Sequence, residues 1–148
     1  MTETLRSYVS RIKNKLVNTV VVDRRELYKL HEESHLAKLF AAMRVDCVFD
    51  IGANRGQYAS MLREKTNYRG RIISFEPIPD VARDARERAR GDALWSVEET
   101  AIGPSNGKVV FNRMAGDKFS SLGSPDHEQV GLFNKLNVVV EQITVGQK

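Results

Sequence analysis

Two groups of residues in this chain have the types and spacing to do chemistry. The first comprises three short segments far apart in sequence: Asp50-Ile51-Gly52-Ala53-Asn54-Arg55-Gly56, Glu76-Pro77 and Ala101-Ile102. Glycine at 52 and 56 removes side chains that would keep a ligand from the backbone. Asn54, between them, tolerates a left-handed backbone better than most residues. The amides of such a loop are then donors for a ligand. Glu76 follows Gly52 by 24 positions, a spacing that suits a carboxylate accepting both hydroxyls of a ribose ring. Pro77 and Pro79 fix the exit of the chain behind it and favour a shaped pocket. The second group is His31-Glu32-Glu33-Ser34-His35, a literal H-E-x-x-H. On a helix its two imidazoles share a face and could ligate zinc with Glu32 as base, which would make a zinc hydrolase. Glu33 and Ser34 are polar where a buried zinc helix is partly apolar, and Lys38 stands where the longer motif requires glycine. Spacing supplies no third ligand, so no metal is assigned.

The elements that must position the first group can be read from periodicity. Leu5, Val9, Ile12, Leu16 and Val20 mark an amphipathic helix ending near Val22. Asp23 and Glu26 form a capping box for a second helix, with a break near Ser34. Character changes at Asp46. Strands are expected at 47–51, 71–76, 94–102, 108–112 and 138–145, with helices at 57–64 and 81–90, the latter capped by Asp80. Residues 114–136 read as irregular, and the part near Ser120-Ser121 could close over a pocket. Strand–helix–strand–helix–strand implies parallel strands with right-handed crossovers and both faces covered. The chain is thus an α/β protein: a helical segment, 1–45, ahead of one mononucleotide-binding half of a doubly wound sheet, 46–148. In that arrangement the first group converges beyond the carboxyl ends of the strands.

The type of loop narrows the ligand. A dinucleotide site uses G-x-G-x-x-G to seat a pyrophosphate, and Gly52-Ala53-Asn54-Arg55-Gly56-Gln57-Tyr58-Ala59 does not fit it. Asp50 would repel nearby phosphate and suits a ligand carrying a sulfonium and an amino group. The loop therefore favours S-adenosylmethionine over NAD. Cys47 reads as a buried core residue in mid-strand. Arg55 reads as a solvated turn arginine, with contact to an acceptor's carboxylate or phosphate as the alternative. His127 reads as a surface-loop histidine, with an acid–base role as the alternative.

Val48-Phe49-Asp50-Ile51-Gly52-Ala53-Asn54-Arg55-Gly56-Gln57-Tyr58 resembles the first motif of the FkbM-type S-adenosylmethionine-dependent methyltransferases. Ile73-Ser74-Phe75-Glu76-Pro77 resembles the second, and Trp95-Ser96-Val97, Ala101-Ile102-Gly103, Gly107 and Ser120-Ser121-Leu122 continue it in order. The resemblance spans about residues 44–145. It implies a class I methyltransferase (Rossmann-like) fold and O-methylation of a hydroxyl on a sugar or natural product. It also implies that Asp50, Gly52 and Asn54, with Ala53 and Gly56 in the same loop, surround the methionine end of the cofactor. Glu76 would hold the ribose, Pro77 next to it belongs to the cofactor-binding set, and Ala101 and Ile102 would flank the adenine. The family continues with a further strand, roughly leucine-isoleucine-lysine-isoleucine-aspartate-valine-glutamate-glycine, whereas this chain stops at Val145-Gly146-Gln147-Lys148. The expectation is a C-terminally truncated, cofactor-binding portion. The edge of its first strand would be bare, and it would self-associate or pair with a missing C-terminal half. The acceptor side of the pocket would be mostly absent, and no catalytic residue is assigned. A non-catalytic remnant or interaction module is the alternative reading.

Composition bounds these readings. The chain has 148 residues, the size of one domain, with 41% hydrophobic and 28% charged residues, enough for a packed core. Aromatics at 7% argue against a stacking platform for nucleic acid, and none is expected as a partner. A small-molecule acceptor is expected instead. No apolar run reaches the length of a membrane span, and the single cysteine excludes an internal disulfide. These features point to the cytoplasm. Residues 1–45 carry nine Lys and Arg against five Asp and Glu, whereas 46–148 carry fourteen of each. The basic excess therefore lies in the N-terminal segment. Residues 5–20 there could rest on an anionic membrane surface, although a solvated helical face is the plainer reading.

Overall fold

The computed structural model describes residues 24–125 and 135–148. The helix expected over 5–22, the capping residue Asp23 and His127 lie outside them. The chain divides into two compact units, Met1–His35 and Leu36–Lys148, a boundary ahead of the one at 45/46 read from composition. In the first unit, described residues 24–35 are helical. They belong to α1 (Arg24–Met43), which runs without a break at Ser34. Among the described residues no helix is long and apolar enough to cross a membrane.

In the second unit, three short runs rich in β-branched and aromatic residues become parallel strands. They are β1 (Cys47–Ile51), β2 (Arg71–Phe75) and β3 (Trp95–Glu98), in the spatial order β1-β2-β3. Cys47 pairs with Arg71 and Ile51 with Phe75; Ile72 pairs with Trp95. The connections are α2 (Gln57–Glu64) and α3 (Pro79–Ala89). Alternation along the strands puts Val48, Ile72, Trp95 and Val97 on one face. Ala59 and Leu62 of α2, Ala89 of α3, and Tyr68 pack against that face, with Phe40 and Val45 at its margin. The other face carries Phe49 and Ile51, 65% and 63% exposed. The expectation that both faces are covered is thus corrected: among the described residues the helices lie on one side only. Cys47 is corrected as well, because it opens β1 and is half-buried.

β3 stops at Glu98, short of the expected 94–102, because the next segment pairs elsewhere. Strands β4 (Gly107–Met114) and β5 (Val139–Gln147) form a separate antiparallel sheet, each longer than periodicity indicated. Ala101 bridges in parallel to Gln147: its N–H donates to Gly146 O at 2.8 Å, and the Lys148 N–H donates back to Ala101 O at 3.0 Å. Ile78, Val81, Ala101, Phe111 and Val145 form a second apolar cluster that ties this sheet to the start of α3. α3 begins at Pro79 with Ile78 as N-cap and no side-chain cap bond, so Asp80 is not the cap. Its carboxylate instead takes both guanidinium nitrogens of Arg113 at 3.0 and 2.8 Å, joining α3 to β4.

Arg63, near the end of α2, holds the opposite end of the strands. Its Nε donates to Asp92 at 2.7 Å, and its other nitrogens donate to the carbonyls of Tyr68, Gly70 and Leu94. One side chain therefore ties together the turns that lead into β2 and β3. Removing it leaves several acceptors without a donor in a partly buried site. Arg63→Ala is expected to cost about 2 kcal/mol in a urea unfolding experiment. Arg63→Lys should recover little, since an ammonium cannot reproduce the planar fork.

Candidate functional site

The turn after β1 is shaped by three left-handed residues: Gly52 (φ 75°), Asn54 (φ 51°) and Gly56 (φ 79°). The two glycines do different work. A Cβ on Gly52 would meet nothing within 4 Å, so this position opens onto free space. A Cβ on Gly56 would lie 3.0 Å from the Trp95 ring and 3.5 Å from the Ala85 backbone. Gly56 is therefore small to let the loop settle on β3 and α3, which corrects the expectation that both glycines clear a path for a ligand.

The loop amides are also already engaged. Gly52 and Ala53 N–H both donate to Phe75 O at 3.0 Å, and Gly56 N–H donates to Ala53 O. Arg55 N–H donates to Asn54 Oδ1 at 2.8 Å, and Asn54 N–H to Glu76 Oε2 at 2.9 Å. The expectation of free loop donors is corrected by this internal saturation. The site instead offers the ligand its acceptors.

Glu76, 5% exposed, sits at the carboxyl end of β2. Its Oε1 accepts from Ile78 N–H at 3.0 Å while Oε2 accepts from Asn54 N–H. A carboxylate has about four acceptor positions, so each oxygen keeps one for a further donor. Burial raises the Glu76 pKa, the two backbone hydrogen bonds oppose it, and the charges of Asp117 and Asp50 add to it.

Two hollows meet at this point, sharing Ile51, Gly52, Phe111 and Ser120. The first, about 310 Å³, adds Asn54, Glu76, Asp117 and Lys118 to its wall. The second, about 370 Å³, adds Phe75, Pro77, Ala101, Ile102 and Leu122. Of the residues singled out by sequence, Gly52, Asn54 and Glu76 thus line the first, and Gly52, Pro77, Ala101 and Ile102 the second. Ala53 and Gly56 are buried under the loop and line neither.

Asp50 lines neither hollow. Alternation turns its side chain to the helix-covered face. There it accepts from Ser74 Oγ at 3.1 Å, and Ser74 Oγ in turn accepts from Trp95 Nε1 at 3.0 Å. Burial raises its pKa and the Ser74 hydrogen bond works against that rise. Asp50 thus lies on the helix-covered face beneath the loop, outside both hollows, while its charge still bears on Glu76. Arg55 is a part-exposed turn arginine that is also ion-paired, with Asp84 on α3 and, at 2.9 Å, with Asp117.

Sequence reasoning missed Phe111, Asp117 and Lys118. The last two belong to a 3-10 turn, Asp117–Phe119, within the stretch read as irregular. Asn112 anchors the strip that follows. Its backbone exchanges hydrogen bonds with Ser121 at 2.9 and 3.0 Å, and its Nδ2 donates to Gly123 O at 3.0 Å. Strand alternation alone carries no signal for such a role. A third hollow, about 310 Å³ between Phe40, Arg44, Tyr68 and Arg69, lies at the amino ends of the strands and contains none of the singled-out residues. His31-Glu32-Glu33-Ser34-His35 lies on α1, and among the described residues no three His, Cys, Asp or Glu side chains gather as a metal site.

A carboxyl with a pKa raised by folding contributes most below its unfolded value, about 4 for aspartate. That contribution is lost as pH rises through the folded pKa. Asp50→Asn removes the loss. Its unfolding midpoint relative to the unmodified chain is therefore expected to improve as pH is raised from about 4 to 7. Urea titrations at several pH values check this; a constant difference between the two proteins across that range would contradict it.

Residues 50–147 match the family model described as the methyltransferase FkbM domain. No curated protein and no solved structure matches the chain. The matched segment begins at Asp50, includes the glycine loop, Glu76 and both hollows, and runs through β5. The chain belongs to the FkbM methyltransferase domain family.

Proposed function

We propose that this chain binds S-adenosylmethionine in the paired hollows and serves O-methylation of a hydroxyl on a small-molecule acceptor, a sugar or natural product. The observation that carries the reading is the Glu76 carboxylate. It lines the first hollow just beyond the carboxyl end of β2, with unused acceptor positions on both oxygens. The parallel order β1-β2-β3 with the ligand cleft beyond its carboxyl ends supports a class I methyltransferase arrangement.

The residues present fit this cofactor. Gly52 leaves open space where any side chain would intrude. Glu76 accepts the ribose hydroxyls. Ile102, Pro77, Phe75 and Leu122 offer an apolar slot for a flat purine in the second hollow. The first hollow, with Asn54, Asp117 and Lys118, offers polar and charged partners for an amino-acid end. Bound there, S-adenosylmethionine supplies an electrophilic methyl group. The chain's own contribution is to hold the ligand in one orientation, so that attack by an oxygen nucleophile starts from an aligned pair. No described residue is assigned as the base.

Titration calorimetry with S-adenosylmethionine is expected to show saturable binding at one site. Glu76→Ala should abolish the heat, and it should also lower stability by about 1–3 kcal/mol, because the Asn54 and Ile78 amides lose their acceptor. Ile102→Ala separates the two effects. Ile102 is 38% exposed, so its truncation should weaken binding several-fold with little change in the unfolding midpoint. Absence of any heat with the unmodified chain would overturn the reading.

A further inference from the structure

We propose that Arg55 is a positioning residue that fixes the width of the cleft by tying the glycine loop to the turn on the opposite wall. This rests on the reading of the paired hollows as the cofactor site. Arg55 lies between left-handed Asn54 and Gly56, so its backbone belongs to the loop that forms one wall. Its guanidinium leaves the loop and reaches two carboxylates from distant parts of the chain. One nitrogen pairs with Asp84 on α3, and the other donates to Asp117 Oδ2 at 2.9 Å. Asp117 opens the 3-10 turn and lines the first hollow together with Asn54 and Glu76. The Arg55 side chain thus spans from one wall to the other while staying out of the hollow itself.

The geometry separates this role from general stabilisation. The three side chains are 38%, 42% and 38% exposed, and ion pairs this open to water add little to folding. Their effect is local. The turn from Asp117 to Phe119 buries no residue of its own; hydrogen bonds on either side hold its ends, and the pair with Arg55 holds the Asp117 side chain. A rigid α3 is held by its own buried face of Val81, Ala82 and Ala85. Asp84 on that helix gives Arg55 a fixed point, and Arg55 passes the position to Asp117. Neutralising Asp117 also matters at the site. Its charge bears on Glu76, and with Arg55 paired to it a second bare carboxylate does not face the acceptor oxygens. Lys118 is then left facing the hollow and, among the described residues, has no acidic partner.

The test uses the unmodified chain and two variants, with S-adenosylhomocysteine as the probe in calorimetry and amide hydrogen exchange as a readout without ligand. Arg55→Ala is expected to weaken binding about tenfold, the scale set by losing preorganisation of one wall. Its thermal midpoint should stay close to that of the unmodified chain. Exchange at Phe119 and Ser120 should quicken while Ile72 in the core stays protected. Arg55→Lys should recover only part of the affinity, because one ammonium cannot serve two carboxylates at once. Arg55→Ala with Asp117→Asn should bind no worse than Arg55→Ala alone. Unchanged affinity or unchanged exchange in Arg55→Ala would overturn the proposal and leave the cofactor reading standing. Failure of the unmodified chain to bind S-adenosylhomocysteine would sink both.

Discussion

The site depends on one buried carboxylate that is asked to hold its own loop. Glu76 comes directly after β2 and accepts the amides of Asn54 and Ile78, one on each oxygen. The first bond pins the left-handed apex of the loop after β1. The second fixes the start of α3, whose N-cap residue has no side-chain partner of its own. Burial makes the charge costly, and the two amides offset that cost. The group that would meet the ribose is thereby also the group that shapes the wall around it. Binding chemistry and local folding are linked at a single side chain.

Around this point the molecule is layered on one side. Helices α2 and α3 bury the face carrying Val48, Ile72 and Trp95, with Asp50 and Ser74 as a hydrogen-bonded polar pair inside it. The opposite face shows Phe49 in edge-to-face contact with Phe75 at 5.9 Å, with Ile51 exposed beside them. The second sheet does not extend the first. It docks through Ala101 and through the apolar cluster of Ile78, Phe111 and Val145, and its edge supplies the outer wall of the cleft.

Much of this was legible before any coordinates. Apolar runs bounded by glycine and proline marked β1, β2 and both helices between the strands, with α2 matching to the residue. The placement of Asn54 opposite Glu76 followed from strand order alone. Alternation places Asp50 on the same face as Val48, but its position next to the loop motif suggested the cleft instead. Asp50 is one residue from the cleft in sequence, yet it turns to the far face of the sheet. Glycine type did not reveal whether the space was left open, as at Gly52, or taken by Trp95, as at Gly56. The wall formed by Asp117, Lys118 and Ser120 depends on Asn112 and Arg55 reaching across long sequence separations, and no local pattern encodes such contacts.

The bridge from Ala101 to Gly146 and Lys148 carries a kinetic meaning. Strands that pair in the parallel sheet are nearer to one another in sequence than Ala101 is to β5, and contacts of smaller sequence separation form sooner. No residue of β5 lines the apolar slot beside Ile102, but the backbone of Ala101 in its wall is tied down only once β5 arrives from far along the chain. During synthesis the Glu76 carboxylate and its two amide donors therefore come together early, while the wall at Ala101 waits for a distant strand to emerge from the ribosome.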